Sequence, residues 1–333
     1  MTRGWALGDC EEPLCDAYDA ALYDLDGVLY LGTSPIEHAA DSVAAARAAG
    51  MRSAFVTNNA SRRPAAVAAL LTDLGIPADA PDVVTSAQAA TRLLGQRIAA
   101  GAQVLVVGAA GLAEEVALAG FVPVRVAGPD VAAVVQGYAP DTGWADLAEA
   151  CVALLAGAVW VATNTDSTLP SPRGPVPGNG ALVAALQVAT GLEPTVAGKP
   201  EPALHLESVT RVGAVRPLVV GDRLDTDVLG AIRGGADSLL VLTGVADARA
   251  ATAAAKGMRP TFVARDLRGL LAAQPAVVVG PSHASCGEAR ADYEEGTVRV
   301  QGSGAAALRA ACALAWACAD DGRTVQAVTG LEQ

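Results

Sequence analysis

The sequence predicts an α/β protein, a doubly wound and mostly parallel sheet interrupted by an inserted α/β unit. Three observations carry this. Short Val- and Leu-rich runs alternate with Ala-rich helical stretches, and the alternation restarts near residue 101 and again near 194. Apolar residues make up 52% of the chain but aromatic ones only 4%, so small aliphatic side chains must fill the core. That mixture suits helices lying close on Val-rich parallel strands. At 333 residues the chain has room for two domains and a small third.

The elements follow in order. Residues 20–31 (AALYDLDGVLYL) read as an apolar strand broken by carboxylates and Gly at its C-terminal end. A helix over 36–49, a strand over 52–57 ending in Asn58-Asn59, a helix over 64–74, a strand near 82–85 and a helix over 86–99 complete the first block. From 103 the rhythm begins again, with strand 103–107, helix 111–119, strands 121–126 and 131–137, helix 144–156 and strand 158–163. Gly108 and Gly111 follow the first of these strands, but without the full GxGxxG they read as a tight turn, not a dinucleotide loop. A Pro- and Gly-dense loop, 164–180, precedes helix 181–190. The third block runs helix 202–211, strand 217–221, an acidic loop, helix 227–234, strand 237–242 and a last strand near 260–263. This organisation predicts a discontinuous core over 1–100 and 194–272, an insertion over 101–193 and an appendage over 273–333.

Charge and composition exclude several classes. A net charge of −12 opposes nucleic acid as a partner, and any phosphate site must create its own positive potential. The N-terminus lacks the apolar stretch of a signal peptide, and the longer uncharged runs are broken by Pro, Gly and Asn, so no membrane span is expected. Six cysteines (10, 15, 151, 286, 312, 318) show no CxxC spacing and read as reduced, which places the protein in the cytoplasm. Only two of the 23 basic residues are lysines, Lys199 and Lys256. Lys256 reads as a chance surface residue; Lys199, in a loop directly before a helix, can set an ammonium beside the helix's positive end.

Four segments at or beside predicted strand ends carry candidate chemistry, where open parallel sheets bind ligands. Asp24-Leu25-Asp26-Gly27 places two carboxylates two residues apart, with a Gly that lets the backbone turn sharply. Buried together they need a cation or a shared proton. Thr57-Asn58-Asn59 offers short donors to an oxyanion, though an ordinary capped turn reads equally well. Gly198-Lys199-Pro200 is the third. Asp222-Arg223-Leu224-Asp225-Thr226-Asp227 is the fourth, three carboxylates suited to a hard cation such as Mg²⁺.

Taken together and in this order, the four segments resemble the motifs of the haloacid dehalogenase (HAD) superfamily of aspartate-nucleophile phosphatases. DLDGV is similar to motif I, Thr57 to motif II, Lys199 to motif III and GDRLDTD to motif IV. The insertion and the strings VTNNASR, GKP and GDRLDTD resemble subfamily IIA over about residues 18–272. TGWADLAEA and PGNGALVAAL are similar to its bacterial glycerol 3-phosphate phosphatase branch. The resemblance implies a HAD-like core with a C2-type cap and an Mg²⁺-dependent phosphoric monoester hydrolase. It makes Asp24 the nucleophile and Asp26 the general acid and base. Metal ligands would be Asp24, Asp222 and Asp26, the last through its main-chain carbonyl. Thr57, Asn58 and Lys199 would bind phosphate, with Asp227, and less directly Asp225, as orienting groups around Lys199 or a metal-bound water. The expected substrate is a small phosphate ester, first glycerol 3-phosphate, then 2-phosphoglycolate, with sugar, nucleotide or pyridoxal phosphates behind. Arg173 or Asp166 of the cap loop would meet the leaving group, and Leu169 stands where some pyridoxal-phosphate phosphatases carry His.

Rival readings are a phosphotransferase on the same fold and a regulatory binding protein. In the appendage, Arg299-Val-Gln-Gly302-Ser-Gly304 resembles an acetyltransferase loop, but about 60 residues cannot build that whole fold. Packing on the core or mediating a homodimer is the preferred role.

Overall fold

The computed structural model describes residues 6–169, 171 and 173–331, so Pro170 and Pro172 of the cap loop lie outside the described residues. The chain forms two compact units. One gathers the chain up to Phe55, Thr72–Pro77 and everything from Val209 onward; the other comprises Val56–Leu71 and Ala78–Ser208.

In the first unit parallel strands run in the order Phe262–Ala264, Asp237–Val241, Pro217–Gly221, Ala20–Tyr23, Arg52–Thr57, the chain entering the second unit after Phe55. Ala20–Tyr23 is buried throughout, as expected of a parallel strand covered on both faces. The next strand in sequence, Arg52–Thr57, lies on one side of it and the late strand Pro217–Gly221 on the other, so the strand order reverses there, the usual place for a ligand in such sheets. Tyr23 stands opposite Val220 on one side and Phe55 on the other. That register brings the segments beginning at Asp24 and Asp222 to the same edge of the sheet. Tyr23 and Phe55 stack with ring centroids 5.9 Å apart.

The first strand is shorter than the apolar run 20–31 suggests. After Asp24 the carbonyl of Leu25 accepts from the amide of Leu29 at 2.8 Å, and Gly27 adopts φ +85° while its amide donates to Tyr30 O at 2.8 Å. The chain therefore turns, and Asp24 and Asp26 do not share a face of a regular strand. The helix expected over 227–234 also begins differently: Leu224–Val228 is one wide π-type turn that leads into Leu229–Gly234.

Beyond residue 273 the first unit adds a five-stranded sheet, Val278–Val279, His283–Cys286, Ala289–Glu294, Thr297–Gln301 and Ala327–Thr329, antiparallel except for its last pair. Helix Gly304–Asp320 has two apolar faces. Ala307, Ala311 and Leu314 pack on this sheet, and Leu308, Cys312 and Trp316 pack on Leu240, Ala251 and Val263 of the core. Arg309 is fully buried and donates to the carbonyls of Gly8 (2.6 Å) and Pro275 (2.9 Å) and to Gln274 Oε1 (3.1 Å). Arg259 pairs with Asp320 at 2.8 Å and lies over the Trp316 ring. The appendage is thus continuous with the core.

The second unit holds a parallel sheet in the order Thr195–Val196, Val159–Ala162, Val131–Gln136, Gln103–Val107, Val122–Val124. Helices Trp144–Leu155 and Asn179–Thr190 cover one face through Ala150, Leu154, Val183 and Leu186. Among the described residues no helix is long and apolar enough to cross a membrane.

Candidate active site

In the first unit three carboxylates converge. One oxygen each from Asp24, Asp222 and Asp227 lies within 4.8 Å of the others. Asp24 follows directly on its strand and its amide donates to Val220 O at 2.8 Å. Asp222 leaves the end of Pro217–Gly221 and is 1% exposed, as is Asp227. The Asp222 Oδ2 accepts from the amide of Val245 at 2.6 Å, and its carbonyl accepts from Ala246 at 2.9 Å.

Glycines make the room. A Cβ on Gly27 would lie 2.3 Å from Asp222 Oδ2, and one on Gly244 only 2.0 Å from it. The two backbones form a cradle that admits the carboxylate only because neither has a side chain. Thr243 Oγ1 ties the two segments by donating to Gly27 O at 2.6 Å. Asp227 is likewise folded against Gly221, where a Cβ would meet its side chain at 2.2 Å, and its Oδ2 accepts from the amide of Arg223 at 3.1 Å. The π-type turn supplies this geometry, since its extra width lets residue 227 point back at the strand end.

Asp227, expected as an orienting group, stands inside the cluster. Asp26 keeps its carboxylate outside it and exposed. Asp225 turns away to Arg223, which donates to it at 3.0 and 2.8 Å; this pairing is the main cause that holds the Asp225 carboxyl below its usual range.

In the second unit Thr57, Asn58 and Lys199 come together. The Asn58 side chain grips the main chain of Lys199: Oδ1 accepts its amide at 2.8 Å and Nδ2 donates to its carbonyl at 3.1 Å. Nδ2 also reaches Asp166 Oδ2 at 3.3 Å. The Asn58 carbonyl accepts from Ser86 Oγ at 2.6 Å and from Asn164 Nδ2 at 2.8 Å. Thr57 Oγ1 accepts from the amide of Asn59 at 3.1 Å, forming a tight turn. Lys199 is 4% exposed whereas Lys256 is exposed, the contrast expected from their settings in the sequence. Gly198 is required here as well, because a Cβ would meet Thr163 O at 2.5 Å and Asn58 Oδ1 at 2.6 Å.

Sequence reading did not find Asn164, Ser86, Asn179 or the Gly244-Val245-Ala246 loop. Asn164 stands two residues before Asp166, a spacing that marks a turn; the others carry no local signal. In the cap loop Arg173 is exposed, and Ser171 Oγ closes a turn by donating to Gly174 O at 2.6 Å.

The donor set of the first unit fits a small hard cation: carboxylate oxygens only, two of them buried, in a cradle that a methyl group would fill. Without a cation, like charges this close oppose one another.

Comparison with known proteins agrees with this geometry. A family model of haloacid dehalogenase-like hydrolases matches residues 21–122, and a second HAD-hydrolase-like model matches 196–270. A D-glycerol 3-phosphate phosphatase of Mycobacterium tuberculosis is 50% identical over 268 residues, covering 80% of this chain and 75% of its own. An acid sugar phosphatase of Staphylococcus aureus is 34% identical over 257 residues, 77% of this chain and 97% of its own. The solved structure of a glycerol phosphate phosphatase from M. tuberculosis in complex with magnesium superposes with a TM-score of 0.85 at 44% identity, covering 97% of this chain and 96% of that one. The carboxylate cluster and these matches together place the chain in the haloacid dehalogenase-like hydrolases, among the phosphatases of subfamily IIA.

Proposed function

We propose that the enzyme hydrolyses glycerol 3-phosphate through an aspartyl-phosphate formed on Asp24. The observation that carries the chemistry is the convergence of Asp24, Asp222 and Asp227 oxygens within 4.8 Å. The substrate rests on the 50% identical relative named for that activity.

Asp24, Asp222 and Asp227, with the main-chain carbonyl of Asp26, would hold Mg²⁺, the ion bound in the related structure. Bound there, it supplies positive charge to the phosphoryl oxygens. The rest of the chemistry belongs to side chains. An Asp24 oxygen attacks phosphorus in line, and the bond from phosphorus to the glycerol oxygen breaks. Asp26 gives its proton to that oxygen as glycerol leaves, then takes one from the water that attacks the aspartyl-phosphate and frees phosphate. Such proton transfer contributes on the order of 10²–10⁴-fold. The exposure of the Asp26 side chain suits a group that must reach both leaving group and water.

Thr57 and Asn58 bind phosphoryl oxygens in this reading, and Lys199 balances the charge of phosphate and nucleophile. Residues 101–193 act as the cap and select the leaving group, with Asp166 or Arg173 of the 164–180 loop meeting it. The reading includes a cytoplasmic enzyme, which six free cysteines support, no nucleic-acid partner and a homodimer.

The test is a panel of phosphate esters with Mg²⁺, ranked by kcat/KM, which reports differential binding of the transition state. Glycerol 3-phosphate is expected first; a sugar or nucleotide monophosphate preferred to it by tenfold or more overturns the substrate. A product in which phosphate passes to an acceptor other than water would make the enzyme a transferase.

A further inference from the structure

Helix Asn179–Thr190 lies on the same face of the second unit's sheet as Val134, Trp160 and Ala162, since Val183 and Leu186 pack with them. Gln136 belongs to that face too. It sits two residues after Val134 on one strand and pairs in register with Ala162. A buried amide is costly unless its polar atoms are bonded. Gln136 is 0% exposed, yet among the described residues its Oε1 and Nε2 have no hydrogen-bond partner, and neither has Trp160 Nε1 nor Asn179 Oδ1.

These four atoms are chemically complementary. The indole N–H only donates, the Asn179 oxygen accepts, and Gln136 brings one acceptor and one donor group. The other end of Asn179 is engaged: its Nδ2 donates to Asn164 O at 2.7 Å. Asn164 Nδ2 in turn donates to Asn58 O at 2.8 Å, and Asn58 brackets the main chain of Lys199 at 2.8 and 3.1 Å. The helix start is seated without slack, because a Cβ on Gly178 or Gly180 would lie 2.2 Å from the carbonyls of Asp166 or Thr165.

We propose that Gln136 and Asn179 are positioning residues for Lys199. The Gln136 amide bridges Trp160 Nε1 and Asn179 Oδ1 through buried water. This orients Asn179, and the bonds Asn179–Asn164–Asn58 then fix the Lys199 backbone, so that the ammonium meets phosphate where it is needed. The inference rests on the reading of Lys199 as the phosphate-binding lysine.

The test is a double-mutant cycle on the full chain, following turnover and competitive inhibition by inorganic phosphate. Asn179→Ser, or the nearly isosteric Asn179→Asp if Ser folds poorly, is expected to raise KM and the phosphate inhibition constant about tenfold, the usual size of such support. On a Lys199→Ala background the same change is expected to cost nothing further. An equal loss on both backgrounds overturns the proposal, since a merely structural role costs both alike. Unaltered phosphate inhibition in Lys199→Ala itself would instead overturn the lysine assignment and the proposal with it. The bridge is read separately by hydrogen exchange at the Trp160 indole. Slow exchange in the native protein and acceleration of tenfold or more in Gln136→Leu are expected; an unchanged rate overturns it.

Discussion

The two units build their candidate groups by opposite means. In the first, one oxygen each of three carboxylates lies within 4.8 Å of the others, and the buried pair accepts main-chain amides, Asp222 from Val245 and Asp227 from Arg223. At an effective dielectric of about 20 each such pair repels by about 3 kcal/mol. That cluster suits a cation. In the second, three asparagines, Asn58, Asn164 and Asn179, link main-chain groups into a neutral frame that holds the backbone of one lysine. That frame carries no like-charge repulsion of its own. Concentrated charge suits the first region to an ion, while linked amides hold the second through hydrogen bonds.

The largest effect is expected at the nucleophile. Asp24→Asn is expected to lower kcat by on the order of 10³-fold or more, while Mg²⁺ still raises thermal stability through Asp222 and Asp227. Retained phosphate release by this variant would remove the nucleophile from the account. Next in size is Lys199→Ala, expected to cost about 10²–10³-fold in kcat/KM, as the loss of one group that stabilises developing charge does. Lys199→Arg is expected to recover little, because a planar fork does not replace a compact ammonium in a buried loop.

The glycine cradle sharpens the same contrast at smaller cost. Gly244→Ala drives a methyl group toward Asp222 Oδ2, 2.0 Å from the ideal position. The Mg²⁺ concentration for half-maximal rate is expected to rise about 10–100-fold with little change in the rate at saturating metal. An unchanged metal requirement would mean that the Asp222 carboxylate is not a ligand. Smallest is Asp225→Ala. Its carboxylate pairs with Arg223 at the surface, so activity is expected to stay near native and stability to fall by less than about 1 kcal/mol. Because folding lowers the Asp225 pKa, this contribution is present above the unfolded value of about 4 and disappears as the pH falls through the folded one. A denaturation series from pH 7 to pH 3 on both proteins reads the difference.

Much of the site was legible because parallel sheets put ligands at strand ends, and strands are legible. Asp24, Thr57 and Asp222 each stand where an apolar run stops, and Lys199 was conspicuous in a chain that otherwise uses Arg. Its companions were not, for physical reasons. Asp227 joins the cluster through a π-type turn, which has no distinct hydrophobic period and reads as the start of an ordinary helix. Gly244 acts by the absence of a side chain, far along the chain from the aspartate it accommodates. Asn179 and Gln136 looked like turn and strand residues because their partners are distant in sequence.

The appendage shows the same limit at the level of fold. Its strands are short, with Ala, Ser and charged residues mixed into the apolar pattern, so the alternation is faint. Its helix, with Ala307 and Ala311 on one side and Leu308 and Trp316 on another, lacks the single apolar stripe that betrays a helix packed on one partner. Arg309, buried whole among main-chain carbonyls, reads in sequence as an ordinary surface residue.

The claim on which the mechanism turns is that phosphate passes through Asp24. Enzyme turning over glycerol 3-phosphate would be quenched in acid, reduced with borohydride and digested for peptide mass spectrometry, since an acyl phosphate is reduced where a free carboxylate is not. Homoserine is expected at position 24, and none in enzyme quenched before substrate is added. Aspartate recovered intact at that position throughout steady turnover, or homoserine formed at a different carboxylate, would contradict it.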